Sequence, residues 1–309
     1  MTRFLIGFIT RLTLAWVLIA LLGLAVGHML REDEISFSAK NVGNGFSVYV
    51  MSPNRHLVRR LTYGIYDVQF TWSPDGQSIA VTTEHDNAPD IYVMDMNGRN
   101  SAFLDRTSQN KYSPAWSPDG HSVAYVSSRS PGSTRLAITN VETGSTRYFA
   151  HENHFISNPT WSPDGKHIVF VSQFTDEVSS VLYNLDVASE KISALTTVPG
   201  YDMYAIWSPN NRYLLYVQVQ PKAALYILDN QTRQTTLLDA NNINTYDTPD
   251  WSPNSRSILF TRFVNNYRGD TAVFQLDVES CLQNTICIPQ ELALPLSIYL
   301  NPRWWPHQP

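Results

Sequence analysis

The sequence predicts an all-β fold: a six-bladed beta-propeller closed by a three-plus-one shared blade and preceded by a single N-terminal transmembrane helix. Three observations predict it. The pentad Trp-Ser-Pro-Asp-Gly occurs at 72–76, 116–120 and 161–165, with weaker copies at 207–211 and 251–255 and a decayed one at 304–308. The tryptophan offsets are 44, 45, 46, 44 and 53, and six of the eight tryptophans are spent on this one position. Between pentads lie short apolar runs broken by Pro, Gly and Asn, which is the four-strand unit of roughly 40 to 45 residues that a propeller blade requires.

The first element is the segment Leu12 to Leu30, 19 residues without Asp, Glu, Lys or Arg, preceded by Arg3 and Arg11 and followed by Arg31-Glu32-Asp33-Glu34. A bilayer span needs roughly 20 apolar residues, and the flanking arginines place the N-terminus in the cytoplasm and residues 32–309 outside it. Residues 1–31 therefore read as an uncleaved signal anchor. A cleaved signal peptide, with Ala25-Val26-Gly27 as its small-residue site, is the alternative, although its apolar region is usually about 7 to 15 residues.

Residues 35–39, 46–51 and 56–61 match the second, third and outer strands of a blade that has no inner strand of its own. Blade one then ends its inner strand at Trp72 and continues with 78–82, 90–95 and 102–104. The same register recurs at 123–126 and 136–138, at 168–171 and 181–185, at 213–217 and 225–228, and at 258–261 and 272–276. The sixth tryptophan, Trp304, ends an inner strand with no hairpin after it, so the two ends of the propeller share one blade. Each pentad explains itself as a turn: Ser starts it, Pro presets φ, Asp or Asn follows, and Gly or Asn accepts the left-handed fourth position. Asp75, Asp119 and Asp164 are accordingly turn formers, and the tryptophans are expected between neighbouring blades. No stretch after residue 31 shows a helical period.

With an upstream proline (Pro114, Pro159, Pro249, Pro302) and a downstream hydrophobic-Tyr-hydrophobic strand ending in Asp, the pentad resembles the WD40-like repeats of TolB-type six-bladed propellers, over residues 35 to 306. The resemblance implies the fold and leaves function open. TolB itself carries an α/β domain before its propeller, where this sequence has the apolar segment. Prolyl oligopeptidase-like enzymes join a hydrolase domain to a similar propeller, but the chain has no G-x-S-x-G nucleophile elbow, so peptidase activity is not expected.

The chain carries 22 Lys+Arg and 27 Asp+Glu; residues 32–309 hold 19 of the basic and all 27 of the acidic side chains, a balance of −8. A domain of that charge is a poor nucleic-acid partner. The two cysteines, Cys281 and Cys287, fall on the exported side, where a local disulfide is the expected state and a free pair the alternative. Two thiols without a neighbouring His leave a zinc ion half coordinated, so no metal is expected there.

Loops entering the inner strands ring the mouth of a propeller channel. The residues four to seven before each repeat tryptophan are Tyr66 and Asp67, Lys111 and Tyr112, His154, Tyr201 and Asp202, Tyr246 and Asp247, and Tyr299. Tyrosine offers a rigid face with a polar tip and is enriched in interfaces; the plainer reading is that these side chains satisfy loop backbone at a wet opening. Some propellers of this repeat type resemble oligogalacturonate lyases, whose metal is held by histidines from several blades. Here only blade three supplies them, as His151 and His154, and this departure from the lyase pattern leaves no metal and no cofactor expected. The function expected is a non-catalytic protein-binding or scaffold module, tethered to the membrane and possessing a protein partner in a larger complex. The alternative is an extracytoplasmic glycan or small-ligand binder, or a lyase-type enzyme, using the channel mouth.

Overall fold

A computed structural model describes residues 35–304 except 41–44, 53–56, 64–66, 86–87, 96–101, 106, 108, 131–132, 150–153, 175–178, 197–200, 220–221, 241–248, 266–269, 284–286 and 293–298. The expected transmembrane helix lies outside the described residues; within them no helix is long and apolar enough to cross a membrane.

Six four-stranded antiparallel sheets form the propeller. The chain opens with β1 (Ile35–Lys40), β2 (Phe46–Ser52) and β3 (Leu57–Arg60). Blade one is β4 (Phe70–Trp72), β5 (Ser78–His85), β6 (Ala88–Asp95) and β7 (Ala102–Phe103). Blade two is β8 (Asn110–Trp116), β9 (Ser122–Ser130), β10 (Ser133–Asn140) and β11 (Thr146–Phe149), and blade three is β12 (His154–Trp161), β13 (His167–Phe174), β14 (Ser180–Asp186) and β15 (Ile192–Ala194). Blade four comprises β16 (Asp202–Trp207), β17 (Tyr213–Gln218), β18 (Ala224–Asp229) and β19 (Thr235–Asp239). Blade five comprises β20 (Asp250–Trp251), β21 (Ser257–Asn265), β22 (Asp270–Asp277) and β23 (Gln290–Leu292). The last strand, β24 (Tyr299–Trp304), pairs with β1 through Ile35↔Trp304 and Ala39↔Tyr299, so blade six is three strands from one end and one from the other. The expected strand positions and the shared blade are both present.

The apolar runs fail to alternate because each blade is buried on both faces. In β21, Ile258 and Phe260 pack toward blade four, while Leu259 between them packs with Phe37 and Met51 of blade six. In β5, Ile79 and Val81 face blade six and Ala80 faces blade two. The buried clusters among the described residues each span two neighbouring blades: six and one, one and two, two and three, three and four, four and five, five and six. The seams between blades, rather than any blade interior, are thus the hydrophobic core.

The pentads behave as turns. Gly76, Gly120, Gly165, Asn211 and Ser255 donate their N–H to the carbonyl of the pentad serine, at 2.8 to 3.0 Å. All five have positive φ, between 59° and 77°, which favours Gly and then Asn. The serine hydroxyl donates to the Asp or Asn two residues on, at 2.5 Å in Ser73–Asp75 and 2.8 Å in Ser252–Asn254. Asp75, Asp119 and Asp164 are therefore consumed by turn geometry. Ser255 is tolerated in the left-handed position because its hydroxyl accepts the Asn210 N–H across the blade four–five seam at 3.0 Å.

The tryptophans bridge seams unequally. Trp72 Nε1 donates to Ser36 Oγ (2.8 Å), Trp161 Nε1 to the Ala115 carbonyl and Trp251 Nε1 to the Ile206 carbonyl (both 3.2 Å), each in the preceding blade. Trp116 instead turns back to the Gly120 carbonyl of its own turn, and the buried Trp207 Nε1 meets no acceptor among the described residues. Trp72, Trp207 and Trp251 are buried, whereas Trp116 and Trp161 are only partly so, which limits the expectation that all lie wholly between blades.

One short helix, α1 (Val278–Gln283), was not anticipated, because six residues are too few to display a period. Asp277 Oδ1 caps it by accepting the Ser280 N–H at 2.8 Å. Its Cys281 is bridged to Cys287, and both cysteines pack on the blade four–five seam. Closing so short a loop stabilises by roughly 2 kcal/mol.

Candidate functional site at the channel mouth

The inner strands carry an irregularity that decides which side chains reach the channel. In blades two, three and four the ladder to the second strand shifts register between Tyr112 and Ala115, Ser157 and Thr160, and Met203 and Ala205. The bulged residue is three positions before the tryptophan and has positive φ: Ser113 at 51°, Asn158 at 49° and Tyr204 at 46°. Because a bulge breaks the ladder, the missing N–H of proline does little harm next to it, which accounts for Pro114 and Pro159 one residue later. A bulky side chain at positive φ is an outlier costing on the order of 1–3 kcal/mol, and such strain concentrates at binding sites.

The bulges aim one column of side chains inward. Ser113 donates its N–H to Gln69 Oε1 at 2.9 Å and its hydroxyl to Asn158 Oδ1 at 3.2 Å, linking blades one, two and three around the channel. Gln69, Ser113, Asn158 and Tyr204 line a cavity of about 400 Å3 that reaches the end where the inner strands begin. Above them Tyr112, Tyr201 and Phe155 contribute ring faces, and Gln173 a further amide. Phe155 is 44% exposed, and Tyr201 OH lies 3.5 Å from Gln173 Oε1.

The expected mouth residues among the described ones fall into two overlapping classes, with Asp202 in both. Tyr112, Tyr201 and Asp202 line the cavity. Asp67, Lys111 and Asp202, all five positions before their tryptophan, are fully buried and act as struts between blades. Lys111 Nζ lies 2.9 Å from Asp90 Oδ1 and 3.2 Å from Asp105 Oδ1, and donates to the Thr107 carbonyl at 2.9 Å. Tyr125 OH donates to Asp105 Oδ2 at 2.5 Å. Burial pushes the Asp105 carboxyl upward, but hydrogen bonds from Thr107 and Tyr125 and the Lys111 charge outweigh it and hold the pKa below the ordinary value. Asp202 has the same place in blade four with other chemistry: Thr196 Oγ1 donates to its Oδ2 at 2.7 Å and Gln218 Nε2 to its Oδ1 at 2.8 Å. Burial raises its pKa, with those two hydrogen bonds opposing. Ser38 Oγ donates to the Asp67 carbonyl at 2.8 Å, tying blade six to the entrance of blade one.

Tyr66, Tyr246 and Asp247 lie outside the described residues, as do the side chains of His154 and Tyr299, whose backbones begin β12 and β24. No group of three or more His, Cys, Asp or Glu among the described residues is placed to hold a metal ion. The inward column itself escapes a search of positions four to seven before the tryptophan. Its signal is present one step closer, where all six repeats carry a polar residue: Gln69, Ser113, Asn158, Tyr204, Thr248 and Asn301.

Residues 91–291 match the family model described as TolB beta propeller domain. Among curated proteins the chain is similar to a protein TolB homolog of Chlorobium chlorochromatii, 31% identical over 145 residues, 47% of this chain and 32% of that protein. It is also similar to the Tol-Pal system protein TolB of Francisella tularensis, 29% identical over 119 residues, 37% of this chain and 27% of the relative. The matched segments thus span about a third or less of these relatives. Among solved structures, TolB from Acinetobacter baumannii superposes with a TM-score of 0.74 at 17% identity, covering 89% of this chain and 67% of that one. An oligogalacturonate lyase in complex with manganese superposes at 0.61 and 13% identity, covering 85% and 74%, a likeness of fold alone. Six blades, the recurring pentad and a family match over most of the propeller agree: the chain belongs to the TolB beta propeller domain family.

Proposed function

We propose that this protein is a non-catalytic docking module, held to the membrane by residues 1–31 and displaying the propeller of residues 32–309 outside the cytoplasm, where its channel mouth receives a protein partner. The observation that carries the reading is the mouth itself, where Tyr112, Phe155, Tyr201 and Tyr204 converge from three blades around amides and hydroxyls. Rigid aromatic faces with polar tips are the side chains from which interface anchors are built. Its relatives support a protein partner, since one is named as a member of a Tol-Pal system. Neither relative is matched over its full length, so partner and complex are inferred from chemistry here.

Tether and mouth lie at opposite ends of the ring in this reading. Second strands elsewhere start directly after the Ser-Pro-Asp-Gly turn, as β5 does after Gly76, so β1 begins on the turn face. Arg31 to Glu34 reach about 14 Å at most when extended. The turn face is then kept near the bilayer and the mouth points away. With the chain in vesicles, depth-sensitive quenching tests this: a probe at Asp119 or Asp164 is expected to report nearby lipid, and one at Phe155 is not. The reverse pattern would overturn the orientation, and with it the mouth as the docking face.

A further inference from the structure

We infer that blade five carries a second membrane contact: the disulfide-closed excursion of residues 278–289 seats Leu282 and Ile288 in the interface of the bilayer that holds the tether. The inference rests on the tether and orientation proposed above and adds to them the element that touches lipid. In blades two, three and four the third and outer strands are joined by residues 141–145, 187–191 and 230–234, five in each case. In blade five the same connection is residues 278–289, which is twelve. The short hairpins present Glu142 and Thr143, Ser189 and Glu190, and Thr232 and Arg233 to solvent. The long one has a single charged residue, Glu279, whose carboxylate accepts from Gln283 Nε2 at 2.8 Å. It leaves Ile288 79% and Leu282 38% exposed. Apolar side chains scattered singly over a surface need no explanation. These two stand in one loop that is lengthened and cross-linked, and the bridge explains their direction. Cys281 and Cys287 turn inward onto the blade four–five seam, and the residue after each turns out.

The excursion leaves the ring on the face that carries the pentad turns. Val278 donates its N–H to the carbonyl of Arg256, the residue directly after the blade-five pentad, at 2.8 Å. Val141, Val187 and Asn230 make the same bond to His121, Lys166 and Arg212 after the pentads of blades two, three and four. The tether enters on this face too, since Ile35 pairs with Trp304, the tryptophan of the last repeat. Blades five and six are neighbours, sharing a seam through Leu259, Val273 and Ile35. With at most about 14 Å of extended chain between the apolar segment and Ile35, the bilayer is the apolar phase within reach of the exposed loop. Two side chains would not hold a free domain to lipid. A tether makes the second contact intramolecular, and the raised effective concentration lets a weak one persist.

The contact is apolar rather than electrostatic. The turn face exposes charges of both signs, with Asp119 and Asp164 beside His121 and Lys166, so it offers anionic headgroups no uniform attraction. An element with apolar side chains and little charge instead settles at the boundary of headgroups and acyl chains. Closing the loop with a disulfide restricts the conformations open to Leu282 and Ile288 before they meet lipid, which lowers the ordering cost of the contact.

The test uses the full-length chain in zwitterionic phosphatidylcholine vesicles, with an environment-sensitive fluorescent amino acid placed by codon reassignment so that the disulfide is left alone. At Ile288 the probe is expected to be quenched by a shallow acyl-chain nitroxide at least about twofold more than at Asp119, which stays at headgroup level. Moved to Gln283, the probe is expected to lose that quenching when Ile288→Asp is added, while the melting temperature holds. Salt near 1 M, where the Debye length is about 3 Å, is expected to change neither result. A probe at Ile288 that lipid does not quench overturns the contact; if Asp119 and Asp164 still report lipid, the orientation survives and the contact alone fails. Quenching that salt abolishes, or shielding that grows with the amount of chain per vesicle and so marks a second copy, overturns it as well. Lipid at Ile288 but not at Asp119 or Asp164 keeps the contact and corrects the orientation to a ring tilted onto blade five.

Discussion

A chain lacking residues 32–62 is expected not to fold. The deletion removes β1, β2 and β3, leaving β24 without its one sheet partner among the described residues and exposing two blade faces at once. Ile35, Phe37 and Met51 fill the seam with blade five, and Val48, Val50 and Leu61 fill the seam with blade one. At roughly 1.5–3 kcal/mol for each large buried side chain, these six contribute about 9–18 kcal/mol as an upper estimate. Whole domains are stable by only about 5–15 kcal/mol. Thermal unfolding followed by near-ultraviolet circular dichroism should show no cooperative transition. A truncated chain that melts like the parent would mean that the ring does not depend on the shared blade.

The next largest effect is expected at Lys111. Its ammonium is fully buried, so Lys111→Met leaves Asp90 and the buried Asp105 facing each other without a cation. Breaking a buried pair from one side costs about 3–5 kcal/mol, because the remaining charge is uncompensated. The pH dependence follows from Asp105, whose folded pKa lies below its ordinary value. A depressed carboxyl contributes stability that is fully present above the unfolded pKa, near 3.9, and is lost as pH falls through the lower folded value. Without the Lys111 charge that contribution shrinks, so the stability gap between parent and variant should be widest near neutrality and narrow below about pH 4. Asp105→Asn added to Lys111→Met should recover part of the loss. Denaturant titrations at pH 7 and pH 3.5 measure both quantities, and a gap under about 1 kcal/mol at pH 7 would contradict the strut.

Sequence made the ring legible because the turn chemistry of a propeller is local. Trp-Ser-Pro-Asp-Gly states its own geometry, and copies ending in Asn211 and Ser255 kept enough of it to be found. The shared blade was equally readable, since residues 35–61 match the second, third and outer strands of the repeat and Trp304 marks an inner strand, and β24 does pair with β1. The site was harder for two physical reasons. Residue type reports poorly on burial when a charge is paired: Lys111 and Asp202 look like solvent-facing mouth residues, yet each is enclosed by a partner six residues upstream, Asp105 and Thr196. That spacing across the blade connection was a usable signal. The bulges also insert an unpaired residue into the inner strands of blades two, three and four, so simple alternation gives the wrong facing and hides Ser113, Asn158 and Tyr204 from a count back from the tryptophan. The α1 segment is too short to declare itself, and its disulfide was read from compartment and composition rather than geometry.

In the proposed reading the mouth of the ring, and not the turn face with its repeated aspartates, is the part that meets other proteins. Photo-crosslinking in intact cells tests that most directly. A benzoylphenylalanine at Phe155, 44% exposed at the mouth, is expected to yield a discrete protein adduct that disappears when Tyr204→Ala is added. The same probe at Asp119, exposed on the opposite face, is expected to yield none. A protein adduct formed from Asp119 and not from Phe155 would contradict the account.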